Sequence, residues 1–245
     1  MIEIKDLYKS FGENKVLIGT NLVIETGETI VIIGRSGCGK SVLIKHIVGL
    51  LMPDSGTVKI ENHIVNEMNQ KELYELRKHF GYLFQGAALF DSMTVEENIS
   101  LPLAESRNEY SDSEISKLVE EKLELVNLPG TQKLKPAELS GGMKKRVGLA
   151  RALITNPDYI LYDEPTTGLD PIMSNSIDTL IKELTEKLNV TSVVVTHDMY
   201  SVKNVANKVA MLNEGKIYFV GSQKELINSE DNVIQEFIKR TEVKN

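Results

Sequence analysis

The sequence predicts an α/β protein with a buried parallel sheet, an antiparallel β layer near the N-terminus and a helical insert. Three observations carry this. Ile30-Val31-Ile32-Ile33, Tyr159-Ile160-Leu161-Tyr162 and Val193-Val194-Val195 are continuous apolar runs of strand length, as expected for parallel strands covered on both faces. Ile2 with Ile4, Leu22 with Ile24, and Val58 with Ile60 alternate with polar residues, the mark of half-buried strands in an antiparallel arrangement. Thr94 to Glu97 and Ser111 to Glu114 have capping-box spacing, and Ile115, Leu118, Val119 and Val126 follow on one helical face.

These signals divide the 245 residues into one compact body. The sheet and β layer are expected over 1–86 and 156–222, a mainly helical segment over 87–155 and a helical tail over 223–245. Ile227, Val233, Ile234, Phe237 and Ile238 suggest that the tail is an amphipathic helix. Hydrophobic residues make up 41% and charged residues 26%, which excludes disordered and membrane-spanning classes. The longest apolar stretch, residues 42–53, is broken by Lys45 and His46 and falls short of the ~20 residues a spanning helix needs. Residues 1–6 show no basic-then-apolar leader, so a cytosolic location is expected. Cys38 alone excludes an internal disulfide. A net charge of −7 speaks against a nucleic-acid partner.

The chemistry begins at Gly34-Arg35-Ser36-Gly37-Cys38-Gly39-Lys40-Ser41, which fits Gly-x4-Gly-Lys-Ser directly after an apolar strand and before a helix-like run over 42–51. Glycines let several N–H groups converge, and the following helix adds its positive end, so the loop suits a polyphosphate. Lys40 is expected to reach the β- and γ-phosphates and Ser41 to ligate Mg²⁺; Gly34 through Ser41 and the adjoining Val42 form the nucleotide-binding set. Cys38 reads as small filler rather than a redox group. Asn207-Lys208-Val209-Ala210 lacks the acid that would read guanine, which disfavours a GTPase. Asp163 and Glu164 end the strand 159–162 on the edge where parallel sheets bind ligands. Asp163 is expected in the Mg²⁺ shell, leaving Glu164 to polarise a water.

Leu139-Ser140-Gly141-Gly142-Met143 opens another helix and so offers a second anion site, with no evident ligand in the same chain. Here the sequence resembles the ATP-binding subunits of ABC transporters, along nearly its whole length. The resemblance implies a P-loop NTPase, RecA-like core with an N-terminal antiparallel β subdomain and an inserted α-helical signature subdomain. It also implies ATP and Mg²⁺ as cofactors, ATPase activity, and a head-to-tail homodimer in which Ser140, Gly141 and Gly142 cap the partner's nucleotide. Gln85 is similar to the Q-loop glutamine that meets Mg²⁺ or water, Asp170 to the D-loop residue at the partner, and His197 to the switch histidine at the γ-phosphate. Lys40, Gln85, Glu164 and His197 are then the catalytic set; Ser41, Gln85 and Asp163 are the metal set. Asp170 also reads as a cap before Pro171.

Phe11 matches the family's adenine-stacking aromatic, with core packing as its rival and Tyr8 as the alternative stacker. The run Lys144-Lys145-Arg146 reads as a solvated helix face, and His46, His63 and His79 as surface or packing residues. The family implies integral membrane permease subunits, docked on an exposed surface over 86–103 that includes Leu89, Phe90 and Met93. Met143, in place of the signature glutamine, and Gly86 to Val95 after Gln85 resemble the Mce-type, Mla group of lipid transporters. That implies phospholipid cargo, a small accessory subunit, an Mce-type substrate-binding protein, and a place on the cytoplasmic face of the inner membrane. The tail is expected either to brace a neighbouring protomer or to pack at the edge of its own chain. A cassette for another cargo, a soluble ATPase of the same family and a non-hydrolysing nucleotide-binding module are the competing functions.

Overall fold

The computed structural model describes residues 1–106 and 110–242; residues 107–109 of the expected insert and 243–245 of the expected tail lie outside the described residues. Strands β1 (Ile2–Phe11), β2 (Asn14–Ile24), β4 (Ser55–Ile60) and β5 (His63–Ile64) form an antiparallel sheet in the order β2-β1-β4-β5. Strands β3 (Thr29–Ile33), β6 (Phe80–Leu83), β7 (Tyr159–Asp163), β8 (Thr191–Thr196), β9 (Lys208–Asn213) and β10 (Lys216–Gly221) form the central sheet, ordered β10-β9-β3-β8-β7-β6. It is parallel except for the β9–β10 pair.

Alternate residues of the central strands enter different cores, which is why their sequences are apolar without a break. Val31, Ile33, Ile160, Tyr162 and Val194 face one cluster; Ile30, Ile32, Leu161, Val193 and Val195 face the other. The second cluster is completed by the antiparallel sheet, α1 (Lys40–Ile47) and α2 (Gln70–Lys78). The first is completed by α3 (Val95–Ser100), α4 (Asp112–Leu125), α5 (Gly141–Leu153), α6 (Pro171–Leu188), α7 (Met199–Val205), α8 (Gln223–Ile227) and α9 (Asn232–Glu242).

Both expected capping boxes form, at Thr94–Glu97 and Ser111–Glu114. Four expectations are corrected. The helix after the glycine loop stops at Ile47 rather than 51, because Gly49 turns left-handed at φ 64° and the Leu50 amide folds back to Lys45 O. The tail is two helices, and Ile234, Phe237 and Ile238 of α9 are buried in their own chain's core. Leu89 and Met93 are half-buried, Leu89 packing on the first core, while Phe90 stays 55% exposed. Lys145 is buried and Arg146 donates to Val126 O and Ser176 Oγ, both at 2.6 Å, so this run is not a solvated face.

Candidate functional site: a glycine loop facing two strand-end carboxylates

β3 and β7 both end beside β8, so their C-terminal ends bring the glycine loop and the acid pair to one edge of the sheet. Gly39 caps α1 in the left-handed region, at φ 105°. A Cβ there would stand 2.8 Å from Val16 Cγ1, so the loop's glycine is demanded by conformation and by space. Lys40 is 5% exposed, and its ammonium donates to Gly34 O at 2.9 Å and Arg35 O at 3.2 Å, aimed into the loop's concave side. Cys38 sits within the loop, and burial pushes its thiol up from the ordinary range, away from a reactive thiolate.

The Ser41 hydroxyl donates to Asp163 Oδ1 at 2.6 Å, and the Tyr82 hydroxyl donates to Asp163 Oδ2 at 3.3 Å. Burial beside Asp163 raises the Tyr82 hydroxyl well above its usual range, so it remains a donor. One hydroxyl oxygen and one carboxylate in contact suit Mg²⁺, which takes oxygen ligands. Glu164 is 8% exposed and held on several sides. Its Oε1 lies 3.4 Å from Lys40 Nζ, and its Oε2 accepts from His197 Nδ1 at 2.8 Å and Thr167 Oγ1 at 3.1 Å. Facing a carboxylate, Nδ1 carries the hydrogen, which leaves Nε2 as the free ring nitrogen.

The remaining expected residues divide. Gln85 is exposed just beyond β6, and its main-chain oxygen accepts from Lys145 Nζ. Ser140 caps α5, accepting from the Met143 amide at 3.3 Å, and is exposed. Gly142 lies so close to α6 that a Cβ would come 2.2 Å from Met173 Cε. Asp170 caps α6 through the Ile172 and Met173 amides, at 3.0 Å each, so the capping reading is realised. Phe11 is 48% exposed with Lys9 Nζ 5.6 Å from its ring centre, which excludes core packing; Tyr8 is 44% exposed. A groove of about 270 Å³ runs beside His197 and Thr167 and is also lined by Arg240 and Thr241 of α9. A larger cavity of about 570 Å³ opens at the opposite edge of the sheet, around the start of β7, away from these motifs.

The contacts made by Tyr82, Thr167, Lys145 and Arg151 were not expected from the sequence. Thr167 was legible in principle, since a threonine three residues after a strand-end acid can bond it locally. Lys145 carried a weaker signal. It shares a helical stripe with Gly142, Leu149 and Ala152, all buried.

The family model described as "ABC transporter" matches residues 17–167. The chain is 41% identical over 237 residues to a probable ribonucleotide transport ATP-binding protein, mkl, of Mycobacterium leprae, covering 97% of this chain and 68% of that one. It is 39% identical over 239 residues to the intermembrane phospholipid transport system ATP-binding protein MlaF of Haemophilus influenzae, covering 98% and 90%. Among solved structures, a dimeric ATP-binding cassette in a post-hydrolysis state with ADP and Pi superposes with a TM-score of 0.83 at 35% identity, covering 91% of this chain and 99% of that one. The chain belongs to the ABC transporter family, as a P-loop domain that binds ATP with Mg²⁺ and hydrolyses it.

Proposed function

We propose that two copies of this chain close head to tail on two ATP molecules, and that hydrolysis drives membrane-embedded partner subunits that move phospholipid. The reading rests above all on one observation. The Glu164 carboxylate is fixed among Lys40, His197 and Thr167, next to the Ser41–Asp163 pair. A single cluster of this kind can bind a phosphate chain, hold its cation and supply a base.

In this reading Lys40 and the loop amides of residues 34–42 bind the β- and γ-phosphates, while Phe11, exposed and beside Lys9, stacks on the adenine. Ser41, Asp163 and Gln85 hold Mg²⁺, which when bound neutralises charge on the β- and γ-phosphates. Glu164 accepts a proton from a water aimed at the γ-phosphorus; the water oxygen forms the new P–O bond as the bond to ADP breaks. His197 Nε2 is the ring nitrogen left available to a phosphate oxygen. Ser140, Gly141 and Gly142 cap the partner's γ-phosphate, with Asp170 close to that interface.

Phospholipid cargo is supported by the likeness to MlaF, which spans 98% of this chain. Membrane partners follow from family membership, because no described helix is long and apolar enough to cross a bilayer. Docking at the cytoplasmic face of an inner membrane, with a small accessory subunit and an Mce-type protein, belongs to the same reading. Exposed Phe84 and Phe90 are its candidate contact points.

Steady-state turnover tests the chemistry. Glu164→Gln should lower it by about 10²–10⁴-fold, as loss of a general base does, while an ATP-dependent dimer accumulates. Unchanged turnover removes Glu164 from its role. Purification from membranes tests the coupling, where an integral partner that supports ATP-dependent transfer of labelled phospholipid between vesicles is expected. ATP-dependent ribonucleotide uptake instead would reassign the cargo, and recovery only as a soluble complex would overturn transport.

A further inference from the structure

Helix α5 does more than present the turn at Ser140. Its second turn sends the Lys145 side chain inward, where it is 5% exposed and donates to the main-chain oxygens of Gln85 and of Glu164, the latter at 3.2 Å. These oxygens lie just past the ends of β6 and β7, adjacent strands paired from Phe80↔Tyr159 to Leu83↔Tyr162. One ammonium thus spans the ends of two strands and joins both to the signature helix.

Glu164 needs such support. It is not glycine, yet its backbone is left-handed at φ 50°, a conformation that persists only when surroundings enforce it. Its amide donates to Val195 O at 2.9 Å and its carbonyl accepts from Lys145, so the peptide units on both sides are anchored. The same helix continues the grip two turns on. Arg151 donates to Ala87 O at 2.6 Å and Ala88 O at 2.7 Å, and both alanines are left-handed, at φ 60° and 48°. Between them Gly148 lets the helix lie directly on this segment, since a Cβ there would stand 2.9 Å from Leu83 Cδ1 and 3.3 Å from Ala87 O.

We infer that Lys145 is a positioning residue for hydrolysis, clamping the Gln85 and Glu164 backbones to the helix whose first turn faces the partner's nucleotide. The inference rests on the proposed role of Glu164. Its consequence is that a shift of α5 on one nucleotide reorients the carboxylate serving the other, so Lys145 links the two sites of a dimer. Burial lowers the tendency of this amine to hold its proton, against the pull of Glu164 and Asp163.

The test uses the full chain with Lys145→Met, Lys145→Gln, Lys145→Arg and, in parallel, Glu164→Gln. Lys145→Met should lower kcat by about 10- to 100-fold, the scale of a misplaced catalytic group, with nucleotide affinity of the monomer unchanged and the Hill coefficient for ATP falling toward one. Lys145→Arg should recover most of kcat, because arginine keeps a cation and its donors within reach of both main-chain oxygens. A folded Lys145→Met with unaltered kcat and Hill coefficient overturns the inference, as does a loss of thermal stability with kcat per folded molecule preserved. Should the methionine variant fail to fold, Lys145→Gln is read by the same criteria. If Glu164→Gln retains turnover, the catalytic assignment itself falls; if Glu164→Gln is inactive and the Lys145 variants are normal, only the clamp is refuted.

Discussion

Two helix starts in this molecule present backbone donors at the same kind of target, and they are built differently. α1 begins in a concave loop where a buried lysine, a hydroxyl and two carboxylates converge. α5 begins at an exposed serine with no acidic residue in its first turn and with its nearest buried cation, Lys145, pointing away into the chain. A helix N-terminus alone contributes only about 0.3–1 kcal/mol to an exposed anion. In the proposed function the first start is therefore the nucleotide site, complete within one chain. The second gains a strong ligand only if another copy delivers one, already charge-balanced and shielded from water.

The strongest way to break this contrast is Lys40→Ala. Losing a buried charge-assisted bond costs about 1.5–3 kcal/mol, so nucleotide affinity of the monomer should fall by roughly 10- to 150-fold, measured by calorimetry with ATP and Mg²⁺. An unchanged affinity would mean that the loop is not the primary site. Next in size, Ser140→Ala should leave monomer affinity intact and lower dimer turnover by about tenfold, the scale of one hydrogen bond to a charged group. A matching loss of monomer affinity would place both helix starts at one nucleotide and refute the two-copy arrangement.

Phe11→Ala should weaken ATP binding by about 1 kcal/mol, the low end for aromatic stacking, since the ring is half exposed. Tyr8→Ala should leave binding alone; the opposite ranking would make Tyr8 the stacking residue. The last effect is read in stability rather than in nucleotide binding. Asp178 of α6 is fully buried; Ser201 and Asn204 oppose part of the rise in its pKa, yet neither of its oxygens has a partner in bonding geometry. Burial pushes its carboxyl up to about 6 from 3.8. A raised carboxylate binds more protons folded than unfolded, so stability falls as pH rises from about 4 to about 6 and stays lower above that. Asp178→Asn should therefore raise Tm at pH 7.5 by at most about 6–12 °C, from at most about 3 kcal/mol of relief, and the gain should vanish below pH 4. A gain independent of pH would assign the effect to packing.

Most of the site was legible because its parts are contiguous. The glycine loop lies between a strand and a helix, and Asp163, Glu164 and His197 end strands that the apolar runs announce. What escaped depends on distance along the chain. Lys145 looked like one of three solvated cations, because its partners lie 60 and 19 residues away. Phe11 could not be separated from a core residue until β1 placed it 48% exposed. Leu89 looked free for a partner, but it is partly buried and packs on its own core.

Sequence by itself determined the local structure: which glycine loop joins a strand to a helix, which strands are buried on both faces, which helices are capped. Those properties depend on neighbours within a few residues, through backbone dihedrals, hydrogen-bond spacing and side-chain period. Only the tertiary structure decided which long side chains turn inward, how α9 spends its apolar face, and that one lysine spans the ends of two strands. Such contacts join residues remote along the chain, and their worth is set by burial and close approach, which no local pattern encodes.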